Sequence, residues 1–198
     1  MTPGPDPKFD RQEVLDSAME LFWAQGYEAT GMTQLLEHVG IGRQSFYNAF
    51  GDKRSLFLEA LANYEQCTLH QVEALLARDG SPLGNIRAVW KMWEEMARDT
   101  DFQGCLFANA AAEFGRGDAV IAKAVDAAFQ RGEKAFRDAL DRAVEAGELV
   151  EGTKTRDLAR ALVCAAQGLA RLGRVKEDKV AFTRSVVRSL EAMRPVVR

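Results

Sequence analysis

With 198 residues and 47% hydrophobic side chains, the chain can bury one sizeable core or two small fused ones, and it reads as globular rather than disordered. A formal net charge of −3 argues against a uniformly basic nucleic-acid binder, and no run approaches the ~18 apolar residues of a membrane span. Cys67, Cys105 and Cys164 are an odd number at wide spacing, which supports neither a disulfide framework nor a zinc site. The N-terminus lacks a basic stretch followed by an apolar one, so no secretory signal is expected. A reducing cytoplasm is the expected compartment.

Residues 1–8 are Pro-rich and polar, and read as a loose arm. Asp10 is placed to cap a first helix, with Glu13 three residues on as in a capping box. Val14, Leu15, Ala18, Leu21 and Phe22 form its apolar stripe, Trp23 reads as packing, and Gly26 ends it. Leu35, Leu36 and Val39 then follow helical spacing, with Thr33 suited to cap the first turn and Gly40 to stop the helix. Ile41 plugs the turn and Gly42 opens another short helix. Phe46 and Phe50 share one face of it at i, i+4. Arg43, Gln44 and Asn48 occupy the opposite face, flanked by Ser45 and Tyr47. Donors and acceptors on a short helix of this kind suit a recognition helix in the DNA major groove.

From Lys53 a long helix is expected to about Arg78, and Asp79 to Pro82 is a break. Further helices are expected over Pro82 to Arg98, Cys105 to Phe114, Asp118 to Gly147, Thr155 to Leu172 and Glu177 to Met193. Nothing reads as a strand. The expectation is an all-α fold of about nine helices.

These residues resemble the DNA-binding half of the TetR family of transcriptional regulators. The match rests on Gly40-Ile41, Tyr47, Phe50 and Lys53, followed by Ser55-Leu56-Phe57, with Leu21-Phe22 and Gly26 to Thr30 upstream. Gly42 departs from the pattern, because the family usually has a capping Ser or Thr there. The resemblance implies a three-helix helix-turn-helix headpiece over residues 1–54 and a helical ligand-binding and dimerisation domain over residues 55–198. It implies a repressor released from a palindromic double-stranded operator by a small molecule or an electrophile. Base contacts would come from Arg43, Gln44, Ser45 and Asn48, and phosphate contacts from Thr33, Tyr47 and Lys53. Against this stands the charge of residues 1–54, with five cationic and eight anionic side chains. Four of the acids, Asp10, Glu13, Asp16 and Glu20, fall on the first helix or its cap, while Arg43, Lys53 and Arg54 bracket the recognition helix, so only modest nonspecific affinity is expected.

The last two helices carry small or apolar residues over more than one face, Ala161, Ala165, Ala166 and Gly168 among them. Two such faces need two partners, and a homodimer through residues 155–193 supplies the second. Tyr64, Trp90, Trp93, Phe102, Cys105, Phe107, Asn109, Phe129 and Gln167 are the candidate effector-site residues. Apolar walls with a few polar anchors suit a site between helices. Glu113 is counted among those polar groups. Cys105, after Gly104, admits two readings: a sensor thiol activated at a helix start, or a small apolar packing residue. Cys67 and Cys164 fall inside apolar stripes and read as core. His38 and His70 have no metal spacing, and no nucleophile, nucleotide or cofactor motif is present, so no catalytic residue, metal or cofactor is assigned. The alternatives are a helical-bundle enzyme, or a protein-interaction module with a structural headpiece.

Overall fold

The computed structural model describes residues 9–99, 101–172, 174 and 179–193. The proposed arm over residues 1–8 and the expected start of the last helix at Glu177 lie outside them. Among the described residues there are nine helices and no strand.

Helix α1 (Arg11–Gln25) starts where the Asp10 carboxylate accepts the N–H groups of Gln12 and Glu13, two donors that have no partner inside the helix. Helix α2 (Met32–Val39) begins at Gly31, with no side-chain cap. Thr33 therefore lies inside the first turn instead of capping it. Gly40 ends α2 in the left-handed conformation, at φ 70°, where a side chain would be strained. Helix α3 (Arg43–Phe50) follows at once. The Asp52 carboxylate then caps α4 (Lys53–Leu76) through the Ser55 N–H at 2.7 Å.

Phe22, Leu35, Phe46 and Leu56 meet in the core of these four helices, each with no exposed surface. Phe22 and Phe57 cross edge to face at 5.1 Å. Truncating a buried ring such as Phe22 to Ala costs about 3–5 kcal/mol. This core does not stop at the end of the headpiece. Leu106, Phe107 and Ala110 of α6 (Leu106–Phe114) join it, as do Ile121 and Val125 of α7 (Ala119–Glu145).

A second core forms where the rest of α4 and α7 packs with α5 (Pro82–Ala97), α8 (Thr155–Leu172) and α9 (Lys179–Glu191). Trp90, Ile86, Phe136 and Leu140 lie at its centre. Helix α4 contributes to both cores, Leu56 to the first and Leu76 to the second. Arg131 of α7 bridges Glu65 and Glu73 of α4 at 2.7 and 2.9 Å, fixing those two long helices in register.

Cys67 and Cys164 are exposed, contrary to their expected core positions. The apolar spacing around each is real, but both fall on the outer edge of their stripe. On α8, Ala161 and Cys164 are exposed while Ala165 and Gly168 are half-buried, so its small-residue face is open in the single chain.

Candidate nucleic-acid interface and internal cavity

The division of α3 into two faces follows from its spacing. Phe46 and Phe50 are buried beneath it, and Arg43, Gln44, Ser45, Tyr47 and Asn48 are exposed. Tyr47 keeps 41% of its surface. The Gln44 amide donates to Asn48 Oδ1 at 3.0 Å, so these two side chains stand side by side one turn apart. Thr33 is exposed on α2. Arg43 makes no ion pair among the described residues.

The other nearby cations are committed within the protein. Arg54 binds Asp118 bidentately at 2.6 and 2.8 Å, and Arg11 reaches Glu59 at 2.6 Å. The Lys53 ammonium lies 4.0 Å from the centre of the Tyr27 ring. Burial there pushes its pKa down, against the pull of Glu28 and Glu113.

Two links from α6 and α7 hold this headpiece. The Glu113 carboxylate, near the end of α6, accepts the backbone N–H groups of Tyr27 and Glu28 at 3.0 and 2.6 Å. Glu113 therefore serves the loop between α1 and α2, not the effector site for which its sequence position suggested it. Asp118 caps α7 through Val120 and Ile121 while it binds Arg54. The Arg54 guanidinium and the Ile121 N–H hold its carboxyl well below the usual carboxylate range.

At the other end of α6 lies a cavity of about 150 Å³ between α4, α5, α7 and α8. Tyr64, Trp93, Phe102, Cys105, Phe107, Phe129 and Gln167 all line it, and Met92, Met96 and Phe136 complete much of the wall. Trp90 does not line it. Fully buried, it packs edge to face behind Trp93 at 5.1 Å and supports the wall from outside. Asn109 also falls elsewhere, in a polar cleft with Trp23, Gln25 and Arg171, where its amide donates to the Gln103 carbonyl at 3.3 Å. Asn109 lies one helical turn beyond Cys105 and lines that cleft, not the cavity.

Cys105 is the N-cap of α6 rather than its first residue. Gly104 places it there, with φ 77° and so close to α8 that a β-carbon would collide with the Ala170 carbonyl oxygen. The thiol faces the N–H groups of Ala108 and Phe107 and the Tyr64 hydroxyl, which favour its ionised form. Burial outweighs them and pushes the thiol up. Tyr64 is raised well above its ordinary value, first by burial and then by Cys105. Helix-start activation, the basis of the sensor reading, is thus present but loses to desolvation.

Among the described residues no cluster of His, Cys, Asp and Glu could hold a metal ion, and no helix is long and apolar enough to cross a membrane.

Comparison with known proteins agrees with this layout. The family model "Bacterial regulatory proteins, tetR family" matches residues 14–60, and "Tetracyclin repressor-like, C-terminal domain" matches residues 82–188. An uncharacterized HTH-type transcriptional regulator of Bacillus subtilis strain 168, YezE, is 37% identical over 56% of this chain and 57% of its own length. The chain thus spans just over half of that relative. The HTH-type transcriptional repressor ComR of Escherichia coli K12 is 28% identical over 82% of this chain and 78% of its own. Among solved structures, a cysteine-substituted TetR family regulator CifR complexed with 26 bp operator DNA superposes at a TM-score of 0.85. It is 27% identical and covers 96% of this chain and 100% of its own.

Proposed function

Because the chain belongs to the TetR family of bacterial transcriptional regulators, we propose that it represses transcription by binding a near-palindromic operator as a homodimer and is released by a small molecule held in the internal cavity. The enzyme alternative falls away with the family assignment. The headpiece is residues 1–54, and residues 55–198 form the effector and dimerisation part. The two-faced α3 carries this reading. Its buried Phe46 and Phe50 anchor it, and its exposed Arg43, Gln44, Ser45 and Asn48 read base edges. Thr33, Tyr47 and Lys53 contact phosphates, Lys53 after leaving the Tyr27 ring. A second copy covers the open small-residue face of α8 within residues 155–193, and so spaces two recognition helices across successive major grooves. The site is in the cytoplasm, where the DNA is.

An effector releases the operator only if it binds the DNA-free state better than the DNA-bound one. Helix α6 suits that role, with cavity residues at its start and Glu113 on the headpiece loop at its end. The raised Cys105 thiol favours an effector held without a covalent bond. Selection of bound sites from random duplexes, followed by gel shift, tests the proposal. A palindrome with half-sites about one helical turn apart, or a multiple of it, is expected. Recovery of no sequence above nonspecific background would refute it. Sedimentation of the wild type and Ala161→Glu tests the dimer, which the charge should split without unfolding the protomer.

A further inference from the structure

The cavity wall also constrains what it binds. We propose, on the reading that this cavity is the effector site, that it selects an uncharged compound with one aromatic ring and one hydroxyl group, the class of phenol and short alkylphenols. Three observations converge on this class. Among the described residues, no Asp, Glu, Lys, Arg or His lines the cavity. A carboxylate or ammonium entering it would shed its hydration and find no opposite charge, which disfavours acids, amines and phosphates.

A volume of about 150 Å³ matches apolar cavities that hold one benzene-sized molecule. The wall is mostly aromatic, with Trp93 and Phe136 tilted at 56° and 6.0 Å apart, and Phe102, Phe107 and Phe129 around them. Rings at such angles offer both faces and edges to a further ring. Gln71 and Met96 are exposed as well as lining, so a short alkyl substituent can extend towards the surface there.

The third observation is polar. Gln167 lines the cavity from α8, and its Oε1 is buried without a hydrogen-bond partner. Buried amide oxygens are nearly always satisfied in folded proteins. A ligand hydroxyl donating to this amide oxygen would satisfy it. Tyr64, on the α4 side with Cys105, offers a second polar contact to the same hydroxyl or to a ring substituent. A site of this kind discriminates against an analogue that lacks the hydroxyl, because the amide then stays unpaired beneath an apolar ligand.

The test is titration calorimetry of the full chain with p-cresol, toluene, p-toluate and 1-octanol at neutral pH, with operator binding followed in parallel. Wild type should bind p-cresol at least about tenfold more tightly than toluene and should not bind p-toluate. Gln167→Leu should bring p-cresol and toluene to within about threefold of each other. Gly132→Met, at a lining position where an added β-carbon meets nothing within 4 Å, should abolish p-cresol binding. The ligand class is overturned if p-toluate binds as well as p-cresol, or if Gln167→Leu keeps the wild-type preference. It is overturned also if 1-octanol binds and p-cresol does not; loss of octanol binding in Gly132→Met would then show that the cavity is the site but not for phenols. Persistence of p-cresol binding in Gly132→Met would move the ligand elsewhere and overturn the proposal. Binding of p-cresol that Gly132→Met removes, with the operator still held, would support the ligand class and refute effector release.

Discussion

Replacing Glu113 with Ala removes the acceptor shared by the Tyr27 and Glu28 N–H groups, at 3.0 and 2.6 Å. Hydrogen bonds to a charged group contribute about 1.5–3 kcal/mol each when sheltered. Glu113 is exposed, and water can take over both donors, so about 1–2 kcal/mol for the pair is the reasonable expectation. A denaturant titration should show that loss, and Glu113→Gln, with one carbonyl oxygen, about half of it. Hydrogen exchange gives the local readout: the Tyr27 and Glu28 amides should lose protection, while those within α1 should change only by the global loss. Functionally, the cavity and the headpiece should come apart. Effector affinity should stay within about twofold, while the factor by which effector weakens operator binding should shrink by up to about tenfold, the equivalent of 1.4 kcal/mol. Unchanged amide protection together with an intact effector response would refute the idea that this carboxylate links α6 to the headpiece.

Arg43→Ala should weaken operator binding and relax base preference by about 1–3 kcal/mol, the size of a good bidentate base contact; unchanged preference in a competition gel shift would place the reading face elsewhere on α3. Asp118 has its carboxyl held low in the folded state, chiefly by Arg54, so its stabilisation is complete above the ordinary aspartate value of about 3.9 and fades as pH falls towards the folded value. The stability gap between wild type and Asp118→Asn should accordingly be constant near neutrality and narrow on acidification, and a gap that widens in acid would contradict the assignment. For the thiols, a polar maleimide at neutral pH should modify exposed Cys67 fastest, Cys164 more slowly if a second copy covers α8, and Cys105 slowest because burial raises it; mass spectrometry of each site reads the order. Cys105→Ser should leave effector release in place, and loss of release would restore the thiol as a sensor.

The headpiece was legible because its signals are local. Phe46 and Phe50 lie one turn apart, Gly40 follows the last apolar residue of α2, and Asp10 stands just ahead of the helix it caps. Each of those relations spans no more than a few residues, so spacing alone carries it. Thr33 failed for the same local reason in reverse. A hydroxyl two residues later than the true start at Gly31 looks like a cap on composition, and only the backbone decides.

Contacts between distant segments were not legible. Glu113 lies 86 residues from Tyr27 and Arg54 lies 64 from Asp118. No pattern near either member of those pairs announces the other. Trp90 and Trp93 show the finer limit. Both belong to the apolar face of α5, yet three residues turn the helix by less than a full circle, and that offset leaves Trp93 on the cavity while Trp90 packs behind it. Cys105, the N-cap of α6, lines the cavity, while Asn109, one turn on and on the same face, lines the neighbouring cleft. Spacing thus assigns a residue to a helix face, whereas membership of a cavity depends on where the neighbouring helices cross that face. The consequence for function is that α6 acquires its role only in three dimensions. Its sequence is a short apolar run, but packing puts the Cys105 cap against the cavity and Glu113 on the headpiece loop. A ligand that displaces the Cys105 end of this 9-residue helix is therefore expected to shift Glu113 and the loop it holds, which is the coupling that Glu113→Ala tests.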